Sequence, residues 1–139
     1  MADAQIARPS SRPRLSLELL PDTLALCRLD ARAPIPPWAE QPSRFLTVSR
    51  TADEVSITSV QSLIPAEVPC EWDYRAFRVR GPLPLNLIGI LAAIADPLAA
   101  AGLSIFAIST YDTDYVLVKA QDLEAAFNVL QQAGHQITR

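Results

Sequence analysis

The sequence predicts an α+β fold of the split βαβ, ferredoxin-like kind. Three observations carry that expectation. From Tyr74 onward the hydrophobic periodicity reads strand, helix, strand, strand, helix, strand. Residues 14–73 add four strand patterns, with proline-rich connections where helices would otherwise stand. Half of the 139 residues are hydrophobic and 19% are charged, so the chain can bury a core. That length suits one domain, or two small units sharing a core.

Residues 1–13 read as a flexible arm, with Arg8, Arg12, Pro9 and Pro13. Residues 15–20 (LSLELL) alternate apolar and polar side chains, Pro21-Asp22 marks a turn, and residues 23–29 (TLALCRL) alternate again. That pattern predicts a β-hairpin. The stretch 31–43 (ARAPIPPWAEQPS) can hold at most one short helical turn, around Trp38. Strand patterns follow at 45–48 and 55–60, separated by a turn at Thr51 to Glu54. Pro65 and Pro69 then interrupt the alternation before 74–79 (YRAFRV) resumes it.

From Gly81 the character changes. Leu87, Ile90, Leu91, Ile94 and Leu98 recur at spacings of three and four, which predicts a helix over 87–101 stopped by Gly102. Pro97 lacks a backbone donor, so a kink or broken turn is expected near Ala95-Asp96. Residues 103–109 and 113–119 are the best strands, joined by a polar turn at Tyr111-Asp112. A second amphipathic helix over 122–133 places Leu123, Ala126, Phe127 and Leu130 on one face, with Gln121 or Asp122 as its cap. Gly134 ends it, and 135–138 forms a short last strand. The organisation expected is therefore a 1–13 arm, a degenerate, helix-poor unit over 14–73, and a complete unit over 74–139.

A net charge of −3 and a pI near 5.0 argue against a nucleic-acid partner. Cys27 and Cys70 have no CxxC spacing and read as buried thiols in a reducing compartment. The first residues lack a secretion signal, so a cytoplasmic protein is expected. The apolar run 83–108 is broken by Asn86, Asp96, Pro97 and Gly102, so no membrane span is expected. His135 stands alone near a helix end, where a cation is favoured, and reads as structural. No phosphate-binding loop occurs, and Asp112 and Asp114 have no third ligand. No enzyme, metal or cofactor is expected.

The run over 89–110, GILAAIADPLAAAGLSIFAIST, resembles the core of the ACT domain, the small amino-acid-sensing module of allosteric enzymes. The segment ISTYDTDYVLV over 108–118 is similar to the ACT domains of aspartate kinases, and closer still to CASTOR-type arginine sensors and their bacterial relatives. The resemblance covers 74–137; in the first half it rests on strand order and on Trp38 and Trp72. It implies two ACT-like units side by side, in a homodimer, with an amino acid bound between units. Carried over residue by residue, it implies ligand contacts from Ser104, Ile105, Thr110, Tyr111 and Asp114.

An amino acid presents an ammonium and a carboxylate, so Asp114 would be the acceptor and Ser104 with its strand-edge amides the donor. Many ACT domains carry an acidic residue three positions before the glycine that opens the helix. Here that position is Asn86, followed by Leu87 and Ile88, so a ligand's charges are not expected to be read at that loop in the same way. Ser104 and Thr110 lie about 20 Å apart on an extended chain, which predicts two half-sites from neighbouring units. The bland readings stay open: Asp112 and Asp114 as turn formers, Ser104 and Thr110 as sheet residues, Tyr111 as a packing lid or dimer contact. The function expected is amino-acid-binding regulation. The alternatives are a ligand-free interaction module and a detached regulatory subunit of a biosynthetic enzyme.

Overall fold

The computed structural model describes residues 12–139; most of the expected arm, residues 1–11, lies outside the described residues. Eight strands form one sheet: β1 (Ser16–Leu19), β2 (Leu24–Leu29), β3 (Leu46–Arg50), β4 (Val55–Val60), β5 (Cys70–Val79), β6 (Phe106–Ser109), β7 (Asp114–Lys119) and β8 (Gln136–Thr138). Two helices, α1 (Ile90–Ala100) and α2 (Leu123–Gln132), complete an α+β, ferredoxin-like architecture whose first half has only a short 3-10 turn at Pro37–Glu40 and another at Gln61–Leu63.

The ten-residue β5 is the spine of the sheet. One of its edges carries β7, which in turn carries β6. Its other edge carries β1 against residues 77–79 and β2 against residues 70–74, both antiparallel. The expected hairpin between β1 and β2 is therefore absent, although both strands form. The Leu20 N–H still donates to the Ala76 carbonyl (2.9 Å), so the ladder runs up to Pro21, which has no N–H to extend it. The chain steps out at Pro21-Asp22 and returns to the same edge of β5, with a register shift between Leu24 and Leu26. From β2 the sheet continues antiparallel through β4 to β3. From β1 it continues in parallel to β8, so a strand of the first half is inserted into the sheet of the second.

Alternation along these strands divides the side chains between two faces. Leu15, Leu17, Leu19, Phe77, Val79, Val116 and Val118 face α1 and α2, meeting Ile94, Leu98, Ala126 and Leu130 in the largest core cluster. Ala76 and Leu117 face the other way, where Leu24 and Phe45 cover them. A third cluster lies under the proline-rich connector, where Trp38 and Trp72 pack against Ala25, Ile57 and Ile64. Trp38 sits in the single helical turn that the prolines permit.

Three further expectations are corrected. Cys27 and Cys70 stand directly opposite each other on β2 and β5, with Cα atoms 4.4 Å apart, and form a disulfide. The period-2 patterns place each cysteine on a strand but do not show that the strands are neighbours. With the thiols paired, cysteine usage no longer supports a reducing compartment. α1 runs through Pro97 with no broken turn. The carbonyl of Ala93, which Pro97 cannot serve, accepts instead from Nε2 of the buried His135 at 2.8 Å, while Nδ1 accepts from the Leu15 N–H at 3.1 Å. These partners assign the neutral, Nε2-protonated tautomer. Finally, neither Gln121 nor Asp122 caps α2 with a side chain; a 3-10 turn at Ala120–Asp122 leads in, and the Leu123 N–H bonds the Ala120 carbonyl.

Candidate ligand site

The hairpin between β6 and β7 reverses over four residues because Thr110 and Thr113 close it from both sides. The Thr110 N–H and Oγ1 both donate to the Thr113 carbonyl, at 2.8 and 3.1 Å. Thr113 is buried, and its Oγ1 donates to the Val79 carbonyl (2.5 Å), which pins the hairpin tip to the end of β5. The loop leaving β5 docks on the same tip through the Leu83 N–H and the Asp112 carbonyl (2.7 Å). Glycine suits that approach: a Cβ at position 81 would stand 3.0 Å from the Asp112 oxygen and 3.1 Å from the Leu83 nitrogen, tighter than ordinary contact. Gly81 is thus part of the clasp.

The loop then climbs to Gly89, whose φ of 85° is a left-handed conformation that glycine adopts without a Cβ penalty. Gly89 accepts the first intrahelical bond of α1, from the Ala93 N–H at 3.0 Å. Among the described residues no side chain caps the amides of Ile90, Leu91 and Ala92, and these residues line a cavity of about 380 Å³. Ser109, Thr110, Tyr111, Asp112 and Asp114 from the hairpin line the same cavity. Asp114 accepts a hydrogen bond from Ser109 Oγ at 2.6 Å on one carboxylate oxygen, leaving the other available. Leu83, Leu85 and Leu87 give the cavity an apolar side. Among the described residues, Asp112 and Asp114 are the charged ones of the lining, and no Lys or Arg contributes to it.

Three of the five sequence-derived positions, Thr110, Tyr111 and Asp114, come together here. Ser104 and Ile105 do not line this cavity: Ser104 is exposed between α1 and β6, and Ile105 packs on the helix-side core. The loop after β5 does form a wall, through apolar side chains and helix amides rather than through an acidic group at Asn86. Sequence reasoning missed Ser109, Gly81 and Thr113. Gly89 was legible as the glycine that opens the helix.

Across 91% of its length, and 93% of the other chain, this chain is 35% identical to a protein of known structure from Agrobacterium tumefaciens, with a TM-score of 0.84. The ACT domain family model matches residues 70–132. The second half of the chain is an ACT domain. A second family model, describing an N-terminal domain, matches residues 22–67. This ACT-domain chain is also similar to the Homo sapiens cytosolic arginine sensor for mTORC1 subunit 1, at 42% identity over 60 residues, which is 42% of this chain and 18% of that protein. It therefore spans about a fifth of the length of the curated relatives it matches. The regulatory subunit of aspartate kinase from Thermus flavus shares the fold, with a TM-score of 0.58 at 14% identity over 87% of this chain and 99% of that one.

Proposed function

We propose that this ACT-domain protein binds a free amino acid in the cavity between the β6–β7 hairpin and the start of α1, and that binding serves regulation rather than catalysis. The observation that supports this reading is the pairing of opposite polarities in one cavity of 380 Å³: amides at the start of α1, without a side-chain cap among the described residues, and Asp114. A ligand carboxylate is favoured by those amides and the helix dipole, and an α-ammonium by the free oxygen of Asp114. Asp112 adds a second negative charge to the lining, which favours a cationic side chain. The arginine named in the curated relatives is accordingly the first ligand to test.

Homodimerisation belongs to the same reading. Leu85 is 72% exposed, Ile88 85% and Tyr111 81%, and Leu85 and Tyr111 line the cavity itself. A second copy over this rim would exclude water from the ligand and could bring Ser104 of another unit toward it. Organisation as two units, 14–73 and 74–139, sharing the β5 spine is part of this proposal. So is a cytoplasmic location, which the cytosolic relatives support and the Cys27–Cys70 disulfide opposes.

Titration calorimetry of the full chain against the twenty amino acids tests the ligand. Arginine is expected to bind more tightly than millimolar, and Asp114→Asn to weaken it roughly tenfold or more while leaving the melting temperature in place. Binding weaker than millimolar for every amino acid, by folded protein, removes the reading. The exposed apolar rim would then favour the second one, an interaction module that dimerises without a ligand.

A further inference from the structure

We propose that the cleft between the β3–β4 pair and β6 is a second binding site, which takes an extended, uncharged peptide segment as an added strand. The cleft encloses about 480 Å³ and lies apart from the start of α1. Its two sides are two of the free edges of the same sheet. Among the described residues β3 pairs only with β4, and β6 only with β7, and consecutive residues of both edges line the cleft: Thr47, Val48 and Ser49 on one side, Phe106 to Ser109 on the other.

A free edge presents a row of unpaired N–H and C=O groups, which proteins commonly blunt with charge, proline or a bulge. β6 (FAIS) carries neither charge nor proline, and no charged side chain lines the cleft on either side. The floor is built from hydroxyls. Thr47 stands opposite Thr58 and Ser49 opposite Ser56, so all four project from one face of the β3–β4 pair into the cleft. Thr58, 2% exposed, is the most deeply buried of the four. A hydroxyl at that depth offers a ligand hydroxyl or amide a hydrogen bond shielded from water.

These features define the occupant. Two facing edges call for an extended backbone, since only a strand offers donors and acceptors to both sides at once. The absence of charge calls for neutral residues, and the hydroxyl floor calls for small polar or β-branched side chains at alternate positions. The edges that a second copy offers already belong to a sheet, so a free segment of another polypeptide fits better than a copy's edge strand.

The test is a nitrogen-15 NMR titration of the full chain with an N-acetylated, C-amidated hexapeptide of alternating threonine and valine. Amide shifts and slowed hydrogen exchange are expected at both 47–49 and 106–109. The same peptide N-methylated at alternate residues should bind at least tenfold more weakly, and Thr58→Val, which keeps the side-chain shape, should weaken the parent peptide about threefold to tenfold. No response at these edges with millimolar peptide, a response at one edge only, or equal binding of the N-methylated peptide would overturn the proposal. Shifts at both edges that grow with protein concentration alone would assign the cleft to a second copy, and would overturn it too. Residues 89–92 and 110–114 report separately on arginine in the same spectra, so failure of this site and failure of the amino-acid site are distinguishable.

Discussion

His135 is the residue on which three elements converge. It joins the approach to β1, through the Leu15 amide, to the middle of α1, through the Ala93 carbonyl, and it sits in the turn between α2 and β8. Pro97 makes the second contact necessary, because an ordinary residue at 97 would supply an N–H to Ala93. His135→Ala leaves a donor and an acceptor buried without partners, and a cavity besides, so a loss of about 3 kcal/mol is expected in urea denaturation. Pro97→Ala restores a donor to Ala93. In that background the cost of His135→Ala should fall by roughly 1 kcal/mol, read from a double-mutant cycle. Strict additivity of the two substitutions would mean that the histidine does not stand in for the missing helical donor.

Among the elements, β5 bears the greatest consequence, because every other strand of the sheet is hung from it directly or through one or two neighbours. The Cys27–Cys70 disulfide ties its first residue to β2. A cross-link at a separation of 43 residues restricts the unfolded chain by about 4 kcal/mol in the chain-entropy picture. Reduction under non-denaturing conditions, or Cys27→Ala with Cys70→Ala, is expected to lower stability by about 2–4 kcal/mol. Amide exchange should show the loss first in β2, β4 and β3, which the disulfide anchors, while α1 and α2 hold their protection. Equal stability of the reduced and oxidised protein would show that the first half gains nothing from the link.

At the scale of the whole molecule, the ligand cavity, the exposed rim and the cleft beside β6 share one short hairpin. Ser109 lines both cavities, and its hydroxyl is committed to Asp114, so β6 is the wall between them. The rim decides the assembly. Leu85→Asp with Ile88→Asp places two charges on surface that the proposed dimer buries, and should weaken self-association at least tenfold in sedimentation velocity while preserving the monomer fold. An unchanged mass distribution would move the dimer contact elsewhere or remove it.

Local pattern determined which residues become strands and helices. Period-2 alternation at 55–60 matches β4, and the three-and-four spacing of Ile90, Leu91, Ile94 and Leu98 is present in α1. The motif ISTYDTDYVLV marked the hairpin that carries Thr110, Tyr111 and Asp114, because turn chemistry and strand alternation are written in neighbouring residues. Tertiary structure alone decided which strands meet. That β1 enters the second half's sheet beside β8, that Pro21-Asp22 offsets the chain instead of reversing it, and that Cys27 faces Cys70 depend on pairings between residues 43 to 120 positions apart. Such pairings follow from how β5 shares its edges and from which faces the helices cover, and no window of sequence contains both partners.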